Sequence, residues 1–196
     1  MIDPQQAFTH DLGTLAKAHG VNELTQIKGA LLTLEKFISQ VQQSVNVYYV
    51  RSEYKSGQFS EIHSSPLFSL CTGQNRVDLE WSLPPRLISQ GKIFTKYKKS
   101  AFSSPELQLE IREKISNGLE NIFLAGFLFT SFVLETALEF SKQVPEGIKF
   151  FIVEDACGSR ISKHEANDGE SDYNASRKAL QAAGIFVCNS SELNFV

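Results

Sequence analysis

Apolar residues recur along this chain in two rhythms. From Glu23 to Ser44, the residues Leu24, Ile27, Leu31, Leu34, Phe37 (with Ile38) and Val41 fall at steps of three and four, which is one face of a long helix. Val45-Asn46-Val47-Tyr48-Tyr49-Val50 follows at once, and its β-branched and aromatic content reads as a buried strand. Between Arg51 and Gln90 the rhythm fades, and Gly57, Pro66, Gly73, Pro84 and Pro85 punctuate an irregular excursion with a short helix. Long excursions in compact domains usually carry function. Lys92–Lys96 (KIFTK) is a short strand. Ser104-Pro105-Glu106 then supplies an N-cap, a proline at the first helical position and an acid in the first turn, opening a helix with Leu107, Ile111 and Ile115 that Gly118 closes. The same unit recurs twice: a strand over 122–125 with Gly126 and a helix from Ser131 to Lys142, then a strand over 148–153 with a helix from Asp172 to Ala183 and Gly184. A last strand over 185–188 ends the series.

Strands alternating with helices imply right-handed crossovers and a three-layer, doubly wound α/β domain with a mostly parallel sheet covered on both faces. Such sheets bind ligands beyond the carboxyl ends of their strands. The residues at those ends are Asp3, Arg51 and Glu53, Lys96, Thr130-Ser131-Phe132, and finally Glu154, Asp155 and Cys157.

Composition narrows the picture. The 196 residues are 42% hydrophobic and 21% charged, ordinary for a globular chain, so one domain over 1–196 is expected, and disorder, collagen and coiled coil are excluded. A net charge of −3 argues against coating a phosphate backbone, so no nucleic-acid partner is expected. The longest apolar stretch, Ile122 to Leu134, falls short of the roughly 18 to 20 residues that span a bilayer, so no membrane segment is expected either. The opening MIDPQQAF has neither a basic nor an apolar signal region, and the odd set Cys71, Cys157 and Cys188 suits reduced thiols, so a cytoplasmic location is expected. His10, His19, His63 and His164 show no metal-ligand spacing, and no cofactor is implied.

Four segments, in order, carry a resemblance. They are Ile2-Asp3-Pro4-Gln5-Gln6-Ala7-Phe8; Lys96-Tyr97-Lys98-Lys99-Ser100-Ala101-Phe102; Gly126 with Val133, Thr136 and Ala137; and Glu154-Asp155-Ala156-Cys157-Gly158-Ser159-Arg160. They are similar to I-D-x-Q-x-x-F, K-x-x-x-S-A-F, G-x-x-T-x-x-C-V-x-x-T-A and D-A-x-x-S of the isochorismatase-like cysteine hydrolases, the superfamily that also holds nicotinamidases and N-carbamoylsarcosine amidohydrolases. The resemblance implies a sheet of order 3-2-1-4-5-6 and a triad of Asp, Lys and Cys. In that triad a cation and a helix N-terminus help ionise a thiol whose ordinary pKa is about 8.5, and a carboxylate accepts and returns its proton. Asp3 matches the carboxylate and Lys96 the cation. By the same resemblance, backbone N–H groups near Leu128 and Phe132 form an oxyanion or ligand-binding site.

The nucleophile position departs from the pattern: counted from Gly126, the cysteine falls on Phe132. A benzyl ring neither attacks a carbonyl nor ionises, and loss of a nucleophile elsewhere costs on the order of 10⁶ in turnover. The expectation is therefore a non-catalytic homologue that binds a small carbonyl ligand or a protein partner. Two other readings stay open. One is an active hydrolase of C–N or ether bonds using Asp3 and Lys96 without a cysteine. The other is a structural subunit of a homo-oligomer or of an assembly with a catalytic paralogue, pairing through the apolar helix after Phe132. Thr130 and Ser131 are weak substitutes as nucleophiles, Cys157 reads as a buried thiol, and Arg51, Glu53 and Arg160 read as surface ion pairs before pocket rim. The metal-ligand pattern of a nicotinamidase is missing at Arg51-Ser52-Glu53-Tyr54. Only Met1 and Ile2 precede Asp3, where the resemblance implies a full central strand, so either the native start lies upstream or the site is distorted and stability weakened.

Overall fold

The computed structural model describes residues 1–72, 79–87, 91–167 and 169–194. Two short helices come first, α1 (Gln6–Thr9) and α2 (Thr14–His19), followed by a 3₁₀ turn over Val21–Leu24 that leads into α3 (Thr25–Val41). The strand β1 (Tyr48–Ser52) precedes the long excursion, whose described part contains 3₁₀ turns at Pro66–Ser69 and Pro85–Leu87. Its stretches 73–78 and 88–90 lie outside the described residues. Next come β2 (Lys92–Lys96), α4 (Pro105–Ser116), β3 (Asn121–Phe127), a π turn over Phe129–Val133, α5 (Leu134–Gln143), β4 (Lys149–Gly158), the short pair β5 (Ala166–Asn167) and β6 (Glu170–Ser171), α6 (Asp172–Ala182) and β7 (Phe186–Cys188).

The helices form where the local signals place them. The apolar stripe of α3 buries Ile27, Ala30, Leu34, Phe37, Ile38 and Val41. Ser104 caps α4 by accepting from the Leu107 N–H behind Pro105, and Ser171 caps α6 by accepting from the Asn174 N–H. Helices α1 and α2 escape the periodicity because each is too short to show a repeat.

β1 pairs β2, and β3 pairs β4, which pairs β7, all in parallel; β5 and β6 form an antiparallel pair. Among the described residues the two main blocks are bridged through Ile2, whose parallel bridges run to Val50 on one side and Gly126 on the other. With Ile2 counted as the first strand, the order is the 3-2-1-4-5-6 that the resemblance implied. That central strand is a single bridged residue.

Three strand boundaries correct the sequence reading. β1 starts at Tyr48, three residues later than expected, and runs on to Ser52. β3 extends to Phe127. β4 continues past Val153 through Glu154, Asp155 and Cys157 to Gly158, with a register shift opposite Leu124 and Gly126, so these residues are strand positions and do not follow the strand. The helix after Phe132 starts later than expected, at Leu134 beyond the π turn; its Thr136, Ala137 and Phe140 are buried, and the Phe140 ring lies 3.7 Å from that of Phe102 and 5.3 Å from that of Phe150. That face serves the core.

Glycine is required where Ile2 crosses the sheet. Gly126 has φ 124°, and a Cβ there would fall 2.1 Å from the Ile2 carbonyl oxygen. Gly126→Ala combines a left-handed strain with a backbone clash, each worth about 1–3 kcal/mol. A loss of about 3 kcal/mol or more in urea unfolding is expected, and a loss below 1 kcal/mol would show that the bridge is dispensable.

Candidate functional site

Three carboxyl ends converge beside Ile2. Asp3 follows the bridge at φ 47°, a left-handed conformation that Asp tolerates through its short polar side chain, and its N–H donates to the Val50 carbonyl at 2.8 Å. Ser52 closes β1 and Lys96 closes β2, in register with each other. Phe132 arrives from the π turn after β3. Asp3, Ser52 and Lys96 are all fully buried. The solvated face that a K-x-K-K run usually forms therefore does not extend to Lys96.

Lys96 Nζ stands 2.9 Å from Asp3 Oδ2, off the line of a hydrogen bond, so the contact is an ion pair. Nζ donates to Tyr54 Oη at 2.6 Å and to the Lys98 carbonyl at 3.0 Å. Tyr54 Oη and Ser52 Oγ are 2.6 Å apart, and Ser52 Oγ lies 2.6 Å from Asp3 Oδ1. Each hydroxyl has one proton, so the chain runs one way: Lys96 donates to Tyr54, Tyr54 to Ser52, and Ser52 to Asp3. Two routes therefore link ammonium and carboxylate, one direct and one through two hydroxyls. Burial pushes the Asp3 carboxyl up, opposed by Lys96 and Ser52, and pushes Lys96 down, opposed by Asp3. Desolvation outweighs mutual attraction on both partners, the usual position of a buried pair. Burial drives the Tyr54 phenol strongly upward, so it stays protonated and able to donate.

The Phe132 ring covers this pair. Its centroid is 4.4 Å from Lys96 Nζ, a cation–π distance. Phe8, Phe59 and Tyr54 surround it at ring separations of 5.6, 6.0 and 6.3 Å. The structure thus brings together Asp3, Lys96 and Phe132, three residues from separate parts of the chain.

The fourth singled-out residue, Leu128, stands at the strand-to-helix junction after a cis Phe127–Leu128 peptide bond, and its carbonyl accepts from the Ser131 and Val133 N–H groups, each at 3.1 Å. Thr130 faces Ser159: its N–H donates to Ser159 Oγ at 3.1 Å, and its own Oγ1 accepts from Ser159 Oγ at 3.3 Å. The Arg51 guanidinium lies 3.8 Å over the Trp81 ring, and Arg160 meets His19 at 2.9 Å. The histidines are dispersed: His10 accepts from the Leu12 N–H, while His63 packs on Phe68 and His164 on Tyr173. Among the described residues no group of three or more His, Cys, Asp or Glu is placed to hold a metal ion. Among them, too, no helix is long and apolar enough to cross a membrane.

Sequence reasoning assigned no site role to Gln5, Ser52, Tyr54 or Phe59, although Gln5 stands in the first motif segment. The Gln5 side chain pairs with the Ser52 backbone as a strand would: Oε1 accepts from Ser52 N–H at 2.5 Å, and Nε2 donates to the Ser52 carbonyl at 3.1 Å and to the Glu80 carbonyl at 3.0 Å. The two-residue alternation Val50, Ser52, Tyr54 signals a shared direction for Ser52 and Tyr54. No local pattern marks Phe59.

All three cysteines are free thiols. Cys71, 3.6 Å from Gln5 Nε2, and Cys157 are buried; burial pushes Cys71 well up and Cys157 to about 12. Cys188 is half-buried. Since the thiolate is the reacting form, a disulfide reagent at pH 8 should label at most Cys188 in the native protein and all three thiols after denaturation. Rapid native labelling of Cys71 would instead place an accessible thiol next to Gln5.

The comparisons with known proteins agree with this geometry. A family profile described as the isochorismatase domain matches residues 1–187. Among solved structures, N-carbamoylsarcosine amidase from Thermoplasma acidophilum superposes with a TM-score of 0.69 at 18% identity, covering 98% of this chain and 95% of that one. The pyrazinamidase/nicotinamidase of Streptococcus mutans UA159 gives 0.68 at 16% identity, with 95% and 97% covered. An isochorismatase-like hydrolase from Alkaliphilus metalliredigens gives 0.70 at 16%, with 98% and 92% covered. No curated protein matches the chain. At these identities the structural neighbours establish the fold, and the profile, spanning nearly the whole chain, establishes the lineage: this protein belongs to the isochorismatase family.

Proposed function

We propose that this family member is a non-catalytic homologue, in which the Asp3–Lys96 pair is retained as a buried polar keystone and function lies in binding a partner or ligand. The observation that carries the reading is the Phe132 ring seated 4.4 Å over Lys96 Nζ and packed by Phe8, Tyr54 and Phe59. By resemblance that is the place of the nucleophile, and it holds a side chain that forms no acyl intermediate. The internal bonding supports the same view. Lys96 donates to Tyr54 and Lys98 and is ion-paired with Asp3, so its ammonium is engaged by groups of this chain on each of those sides.

The reading of an active hydrolase without cysteine needs another nucleophile beside Asp3 and Lys96. The Thr130 hydroxyl is directed at Ser159. A structural subunit pairing through α5 would need an apolar face that the core already uses.

The test is intact-mass spectrometry and product assay after incubation with a panel of primary amides and vinyl ethers. No adduct and no turnover above the uncatalysed rate are expected. Turnover that vanishes in both Asp3→Asn and Lys96→Ala would overturn the proposal in favour of a non-cysteine hydrolase.

A further inference from the structure

A cavity of about 520 Å³ lies between the first turns of α3 and the carboxyl ends of β4 and β7, and none of Asp3, Lys96 and Phe132 lines it. The register shift in β4 creates it. From Ile152 to Cys157 the strand sets four residues against the single Ala125 of β3, so Glu154 and Asp155 leave that ladder and line the cavity. Gly29 and Ala30 line it from α3. Gly29 has no positive φ, and a Cβ there would meet nothing within 4 Å. Glycine inside a helix is destabilising relative to alanine, and here neither the backbone conformation nor a close neighbour requires it. What it provides is room over the helix backbone.

The charges around this room are unequal. Glu154 accepts from Tyr173 Oη at 3.1 Å and pairs with Arg177 Nε at 3.0 Å, so its charge is balanced from α6. Asp155 is held by Ser190, whose N–H donates to Oδ1 at 2.7 Å and whose hydroxyl donates to Oδ2 at 2.6 Å. Both of these donors are neutral. Among the described residues no cation pairs with Asp155, and none of those lining the cavity is Lys or Arg. Each Asp155 oxygen keeps a further acceptor site, and the two bonds from Ser190 fix the plane of the carboxylate. A flat wall stands beside it, the His164 ring stacked on that of Tyr173 at 4.2 Å and 28°. His164 Nε2 is buried without a hydrogen-bond partner, an acceptor left open when Nδ1 carries the proton. Burial holds this imidazole below its ordinary pKa, so near pH 7 it adds no positive charge to compete with a cationic guest.

We propose that this cavity binds a small organic cation with a planar amidinium or guanidinium head, paired with Asp155 and stacked on the His164–Tyr173 wall in the room that Gly29 leaves. A planar head offers two parallel N–H donors to a carboxylate and a flat face to aromatic rings, whereas an ammonium is a compact point charge. The cavity falls within the roughly 300–1,000 Å³ that small-molecule sites occupy, lined as such sites are by a few fixed polar groups. The assignment is independent of the reading of Phe132, because no residue of that site takes part in it.

The probe is benzamidine, titrated into the 196-residue chain with the backbone amide resonances of Gly29 and Asp155 as readouts. Both should shift saturably with a Kd below about 1 mM, and the thermal midpoint should rise, since a ligand held only by the native state stabilises it. Benzamide has the same shape without the charge and should bind about tenfold or more weakly; benzylammonium keeps the charge without the planar head and should also bind less tightly than benzamidine. Asp155→Asn should weaken benzamidine binding by about tenfold or more. Gly29→Leu fills the room from an open helix position, so it should abolish binding while leaving the thermal midpoint of the free protein undiminished. The proposal falls if benzamidine leaves the two amides unmoved, if benzamide or benzylammonium binds as tightly, or if either variant binds like the parent.

Discussion

Lys96→Met should destabilise the protein by about 3–5 kcal/mol, because it leaves the Asp3 carboxyl fully buried and without its counter-ion. The loss should exceed that of any surface lysine; Lys99, half-exposed beside Glu135, should cost no more than about 1 kcal/mol. The informative variant is the double one. Asp3→Asn keeps a residue that tolerates φ near 47° and still accepts from Ser52, while removing the charge that Lys96 neutralises. Combined with Lys96→Met, it should recover most of the lost stability, since desolvation outweighs attraction for both partners of the native pair. Urea unfolding of the parent, the two single variants and the double variant closes a cycle whose coupling term isolates the pair. A double variant no more stable than Lys96→Met alone would show that the pair is not what holds this corner together.

Phe132→Ala carries the second large effect. The ring is buried and makes contacts with Phe8, Tyr54, Phe59 and Lys96, so truncation should cost about 3–5 kcal/mol through lost transfer energy and the cavity left behind. The companion substitution, Phe132→Cys, separates architecture from chemistry. A thiol introduced beside the Lys96 ammonium, in the π turn that leads into α5, should have its pKa lowered below the ordinary 8.5 or so and alkylate rapidly near pH 7. Buried Cys71 and Cys157 should stay silent in the same experiment, so the mass increment reports the introduced thiol alone. Slow alkylation would mean that Lys96 remains committed to Tyr54, Lys98 and Asp3.

The two experiments address different sides of the same arrangement. A buried ion pair adds little net stability compared with an apolar isostere. It persists here together with a hydroxyl chain through Tyr54 and Ser52 that bonds Asp3 Oδ1 at one end and the Lys96 ammonium at the other. Such a network has to be kept whole, because one missing member strands a buried polar group. That requirement alone is enough to hold Asp3 and Lys96 in place beneath the ring of Phe132.

Much of this was legible in the chain. The period-three-and-four stripe from Leu24 to Val41 had to bury one face of a helix, and KIFTK had to be a short strand; both stand where they were expected. Alternation of strand and helix dictated a parallel sheet with its chemistry at the carboxyl ends, and the motif segments picked out Asp3, Lys96 and Phe132 by register. Local rules work for such features because period, caps and crossover handedness depend on neighbours in sequence. Tertiary structure alone decided the rest. The fate of Lys96, buried while Lys98 and Lys99 stay exposed, depends on which strand lies beside β2. Gln5 and Tyr54 acquired their roles only when α1 and the end of β1 were brought against one another, and the extra length of β4 came from pairing with β3 across a register shift. Burial and hydrogen bonding between distant segments are properties of the assembled core, and no one-dimensional pattern encodes which partner a side chain will meet.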